Sequence, residues 1–135
     1  MELAISRADA DQLLALAAAS SDEVCGLLLG TRQPGGATVT RLVPARNVAL
    51  HPANSFEIDP ATLLATHRQA RGQGLAVLGH WHSHPNGSPV PSARDAARAL
   101  DNGQIWLIIA GDQLAGFVAS GSAAARFQPV LLKVA

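Results

Sequence analysis

Six stretches of strand length are interleaved with three of helical period, and this alternation most restricts what the chain can fold into. Residues 24–30 and 105–110 are nearly unbroken apolar runs, the pattern of strands covered on both faces. Residues 37–45 alternate through Val39, Arg41 and Val43, and the Pro and Gly of residues 33–36 turn the chain between this segment and the first run, as in a hairpin. Residues 75–81, 114–120 and 126–134 are further strand candidates, and a tight Gly-Asp turn joins 105–110 to 114–120. Residues 7–19 place Ala8, Leu13, Leu14, Leu16 and Ala17 at mostly helical spacing behind Ser6 as N-cap. Asp59 and Pro60 form an N-cap and first-turn pair for a helix to about Arg71, ended by Gly72 or Gly74. Ser92 opens a third helix through about Leu100, stopped near Gly103. Residues 47–58 have no clear period and are expected to be a loop. The order α β β α β α β β β predicts an α/β (α+β layered) domain, a mixed sheet with about three helices against it.

Composition narrows the function. The 135 residues suit one domain, residues 1–135, with a core that needs no staples. With 48% hydrophobic and 15% charged residues, disorder is excluded. Ten basic residues balance ten acidic ones without any run of either, so neither nucleic acid nor an anionic membrane surface is an expected partner. Cys25 is the single cysteine, which rules out an intrachain disulfide. The first residues lack a basic and then apolar leader pattern, and the apolar runs are far too short to span a bilayer. The expected setting is the cytoplasm.

Three of the five histidines fall within residues 80–84. If His82 and His84 lie at a strand end, their side chains face the same way and can share one metal ion. Ser92 and Asp95, three apart at a helix start, lie close on its first turn. The loop between them, rich in Pro, can return Asp95 to the histidines. Two His and one Asp would leave the fourth tetrahedral position of zinc open, as catalytic zinc sites do. The S-x-x-D spacing is equally that of a capping box, and the two readings are compatible. His80 shares the alternation and is either a third ligand or a residue packed on the strand. Trp81 points to the opposite face, into the core. Cys25 is a small core residue or, if a histidine approached, a nucleophile. Glu57 and Asp59 suit loop and cap, and His51 and His67 suit the surface.

The full pattern, H-x-H, seven residues, then S-x-x-D, holds at His82, His84, Ser92 and Asp95. Glu23 precedes the run V-C-G-L-L-L-G, Pro85 follows the second His, and Pro91 precedes the Ser. Asn47 and the segment F-E-I-D-P at 56–60 add to the likeness. Together these residues resemble the JAMM/MPN family of zinc metallopeptidases, over nearly the whole chain. The resemblance implies a mixed, curved sheet of JAMM/MPN-like (cytidine-deaminase-like) architecture and one Zn²⁺ per chain on His82, His84 and Asp95. It also implies that Glu23 holds the attacking water as general base, and that Ser92 stabilises the oxyanion. The implied reaction is hydrolysis of the amide bond after the C-terminal Gly-Gly tail of a ubiquitin-like protein. The chain has little length for insertions that grip ubiquitin, which turns the expectation towards a ubiquitin-like sulfur carrier protein, or a peptide conjugate of one. The tail is expected in a groove against a sheet edge, adding a strand by backbone hydrogen bonds. The alternatives are a non-catalytic MPN-type scaffold and a metal-binding module without hydrolase activity. No feature of the sequence specifies an oligomeric state.

Overall fold

The structure, a computed structural model, describes residues 1–99, 102–120 and 126–135. Its elements are β1 (Glu2–Ile5), α1 (Arg7–Ala18), β2 (Cys25–Gln33), β3 (Gly36–Ala45), α2 (Pro60–Gly72), β4 (Ala76–Ser83), α3 (Ala93–Arg98), β5 (Ile105–Ala110), β6 (Gln113–Ala119) and β7 (Phe127–Val134). The strands close into a barrel in the order β1-β3-β2-β4-β5-β6-β7. Pairing is antiparallel except at β4–β5, β1–β3 and β1–β7. The expected mixed, curved sheet with three helices is present, and its curvature runs to closure.

Strand β1 is the element the apolar pattern does not announce. Four residues are too few for a period to show, yet Leu3 and Ile5 are buried and β1 bridges β3 and β7. Strand β4 is paired on both sides, by β2 and by β5, while β1 pairs with β3 only over Gly36–Thr38. The hairpin turn is tighter than the pattern suggests. β2 continues to Gln33, and Gly35 takes φ +82°, a left-handed conformation that favours glycine.

The helix starts follow local chemistry. Ser6 caps α1 by accepting from the Asp9 N–H at 3.1 Å. Asp59 occupies the N-cap position of α2, but its carboxylate accepts from the Thr62 hydroxyl at 3.0 Å and makes no backbone cap bond. Gly74, at φ +67°, lies just past the end of this helix. Helix α3 is shorter than its pattern suggests, and Leu100 lies outside the described residues.

The two faces of β4 and β5 go to different places. Trp81, Ile105, Leu107 and Ile109 join Leu3, Ile5, Leu13 and Leu28 in the main core. Trp81 thus lies in the core, as its place between same-facing histidines requires. The opposite face carries His80, His82 and Trp106 towards a smaller cluster of Cys25, Phe56, Ala99, Trp106 and Ala119. The Trp81 indole lies over Gly26, where a Cβ would come within 2.3 Å of the ring. Among the described residues, no helix is long and apolar enough to cross a membrane.

Candidate functional site: a His–His–Asp cluster beside a buried glutamate

Glu23 and His82 are 59 positions apart, and the β2–β4 ladder brings them together. The ladder pairs Cys25 with His82. Ser83 ties its end from both directions. Its N–H donates to the Val24 carbonyl, and its Oγ accepts from the Val24 N–H, each at 2.9 Å. Asn47 holds the other side. Its Nδ2 donates to the Glu23 carbonyl at 2.8 Å and to the Ser55 carbonyl at 3.0 Å. Its Oδ1 accepts from the Ala49 and Glu57 N–H groups, each at 3.0 Å. One amide thus bonds four backbone groups and fixes the 47–58 loop to the start of β2.

The cluster itself is close-set and buried. His82 Nε2 lies 3.0 Å from His84 Nε2 and 3.3 Å from Asp95 Oδ2, and His84 Nε2 lies 3.0 Å from the same oxygen. Ligand atoms of Glu23, His82 and His84 also lie within 4.8 Å of one another. The Glu23–His82–His84 group has the wider spacing. In the tighter set, Asp95 stands with the two histidines and Glu23 stands beside them. His84 Nδ1–H donates to the Ser88 carbonyl at 2.8 Å, which leaves the Nε2 lone pair facing inward. Two imidazole nitrogens and a carboxylate oxygen at this spacing can share hydrogen-bond protons or hold one cation between them. The ligand atoms of a tetrahedral zinc with bonds near 2.0–2.1 Å stand about 3.3 Å apart, so the set fits zinc.

Asp95 serves two arrangements with one side chain. Its Oδ2 accepts from the Ser92 N–H at 2.8 Å, and Ser92 Oγ accepts from the Asp95 N–H at 3.0 Å, a complete capping box. The cap therefore orients the same oxygen that faces the histidines. Among the described residues the Ser92 hydroxyl proton has no acceptor, and Ser92 lines the cleft with Glu23 and His84.

Burial and charge set the protonation of the group. Burial pushes the Glu23 carboxyl up to about 7, helped by Asp95 and opposed by His84, Arg94 and Arg98. Its Oε1 has no hydrogen-bond partner among the described residues. Burial also opposes ionisation of Asp95, but hydrogen bonds from His82, His84 and the Ser92 N–H outweigh it and hold the carboxyl well below its ordinary range. His82 is lowered, since its burial exceeds the help of Asp95. For His84 the same burial is outweighed by Asp95, the Ser88 carbonyl and Glu23, and its pKa is raised.

The remaining candidates fall outside the cluster. His80 packs its ring against Trp106 at 4.2 Å, and its centroid is 6.3 Å from that of His82. Burial drives it down to about 3, so it is neutral. Cys25 is buried, donates to the Ala45 carbonyl, and has its thiol pushed up to about 12 by burial and by Glu23. It is a core residue, and the nucleophile alternative fails. His51, His67 and Glu57 are exposed. Several supporting residues carry no motif of their own. Phe56 stacks on the His82 ring at 4.2 Å, and Arg94 and Arg98 tie α3 to the Asn54 and Phe56 carbonyls. The Arg spacing of four, one helical turn, was their only signal in the sequence.

Residues 7–126 match the family described as prokaryotic homologs of the JAB domain. The chain belongs to this family, and the JAMM/MPN resemblance is thereby established. This JAB-family chain is 39% identical over 90 residues to a desampylase of Haloferax volcanii, covering 67% of the chain and 63% of that protein. It is 36% identical over 77 residues to a probable TtuB-protein conjugate cleaving protease of Thermus thermophilus, covering 57% and 49%. A desampylase of Pyrococcus furiosus is 34% identical over 97 residues, covering 72% and 66%. The matched segments span about half to two thirds of these relatives' own length. The JAB-family fold is also similar to the solution structure of a Desulfitobacterium hafniense protein, with a TM-score of 0.83 and 28% identity, covering 100% of this chain and 93% of that one. A Salinibacter ruber protein gives a TM-score of 0.70 and 27% identity, covering 98% and 92%.

Proposed function

We propose that this chain is a zinc-dependent peptidase or isopeptidase of the cytoplasm, acting as a single JAMM-type unit over residues 1–135. Its substrate is the amide bond after the C-terminal tail of a ubiquitin-like or sulfur carrier protein. The observation that carries the reading is the convergence of His82 Nε2, His84 Nε2 and Asp95 Oδ2 within 3.0–3.3 Å, with Glu23 beside them in an open cleft. Relatives named as desampylases and as a probable TtuB-protein conjugate cleaving protease support the substrate class.

In this reading His82, His84 and Asp95 hold one zinc ion. A bound zinc ion supplies Lewis-acid polarisation of the scissile carbonyl and acidifies water at the site. Glu23, beside the histidines, accepts the proton of the attacking water and returns it to the departing amine. Ser92 turns its free hydroxyl proton to the carbonyl oxygen as negative charge develops there, a contribution of about 2–4 kcal/mol. The capping box keeps Ser92 and Asp95 in register, so metal ligand and hydroxyl move as one unit.

The test is hydrolysis of a sulfur carrier protein extended beyond its Gly-Gly end. Cleavage after the second glycine is expected. Chelator should abolish it, and Glu23→Gln should lower it by about a thousandfold or more while zinc content stays near one per chain. A zinc-loaded protein that leaves the extension intact, or a Glu23→Gln variant as fast as wild type, contradicts the reading.

A further inference from the structure

Three cavities run in line from the cleft. The first, about 390 Å³, is walled by Glu23, His84 and Ser92. The second, about 440 Å³, shares Arg94 with it. The third, about 430 Å³, shares Glu57 and Arg98 with the second and ends on His80 and Trp106. The shared walls show that the cavities adjoin in series between α3 and the 47–58 loop, with Arg94 and Arg98 standing between them.

Arg94 and Arg98 are one helical turn apart, so both face these cavities. Each donates one Nη1 to the loop opposite, Arg94 to Asn54 and Arg98 to the Phe56 carbonyl. Those bonds use neutral acceptors. Among the described residues neither guanidinium forms an ion pair, and the ion pairs present belong to the His–Asp95 cluster. Both side chains are exposed, and both cations act on Glu23 across the cleft. Glu57 is the one opposing carboxylate on the second and third cavities, and it too is exposed. Two guanidiniums with spare N–H donors and no carboxylate partner suit a carboxylate supplied by the substrate.

The opposite side of His84 has different chemistry. A cavity of about 630 Å³ there is bounded by Ala17, Ser20 and Ser21 around the end of α1, whose last turn has no basic residue, and by Ser83 of β4. The carbonyl end of a helix repels a carboxylate and suits the side from which an amine departs. The side along α3, where the two cations stand, is the side that suits the carrier tail. Arg94 walls the same cavity as Glu23, His84 and Ser92, and Arg98 walls the adjoining one, which sets both beside a tail whose glycines lie at the cleft.

We propose that Arg94 and Arg98 select a carrier tail with Asp or Glu immediately before its terminal glycines and disfavour Lys or Arg there. The proposal rests on the peptidase reading above. Its test is binding, kept separate from cleavage. Fluorescently labelled, C-terminally amidated tail peptides ending Glu-Gly-Gly, Gln-Gly-Gly or Lys-Gly-Gly are titrated with zinc-loaded Glu23→Gln protein, and anisotropy is read at low salt. The Glu peptide is expected to bind about tenfold more tightly than the Lys peptide, with Gln between. An Arg94→Gln/Arg98→Gln double variant should erase the ranking, and added salt should compress it. Equal binding of the three, tighter binding of the Lys peptide, a ranking that survives in the double variant, or no binding of any peptide up to millimolar concentration overturns the proposal. A preserved ranking without hydrolysis of the extended carrier removes the peptidase reading alone. Hydrolysis without a ranking removes the tail selection alone.

Discussion

On the sheet side of the cleft, Glu23, His82 and His84 hang from paired backbone. On the helix side, Ser92 and Asp95 are held by side chains. The sheet wall is set by the β2–β4 ladder, the double Ser83–Val24 contact and the Asn47 amide. Behind it lie Trp81 and the main core. The helix wall is a six-residue α3, fixed by its capping box and by two arginines reaching the loop opposite. Losses in the first wall should therefore appear as lost stability. Losses in the second should appear as altered metal binding and rate in a protein that still folds.

The largest expected effect is in the sheet wall. Trp81→Ala leaves a cavity against Gly26 and the main core, and should cost about 3–5 kcal/mol in urea unfolding. A loss below 1 kcal/mol would mean that the sheet wall does not depend on this core. Asn47→Ala comes next. It strips partners from four backbone groups and should cost about 2 kcal/mol, with slower turnover because Glu23 loses its anchor. Unchanged stability and rate would break the link between the loop and Glu23. Ser92→Ala is the smallest in stability, about 1 kcal/mol for the lost cap, yet it should lower kcat by about a hundredfold with zinc retained. If its rate fell only as much as its stability, the hydroxyl would be a cap and no more.

How far the sequence could be read follows the same division. What is local was legible. Ser6, Pro60 and Gly74 mark helix ends through their own side-chain and backbone chemistry, and Leu27–Leu29 announce a buried strand. The H-x-H pair, at the end of β4, and the S-x-x-D cap, within one turn, are also local. What depends on register was not. No spacing places Glu23 at His82, since that proximity arises when two distant strands align, and only the family resemblance pointed to it. Strand β1 is too short to show a period, and its partners lie far along the chain, so the barrel's closure was invisible. Phe56, Arg94 and Arg98 meet the site through a loop without periodicity. Asn47 entered by resemblance alone, while its four hydrogen bonds explain why an Asn is needed there.

In the proposed reading His82, His84 and Asp95 form one divalent metal site whose third ligand comes from the helix wall. Zinc titration of the metal-free protein by calorimetry tests it most directly, with His82→Ala, His84→Ala and Asp95→Ala alongside wild type. One zinc per chain is predicted for wild type, with affinity at least a hundredfold weaker in each variant and unfolding transitions that remain cooperative. A wild-type protein that takes up no zinc at neutral pH, or an Asp95→Ala variant that binds it as tightly as wild type, contradicts the account.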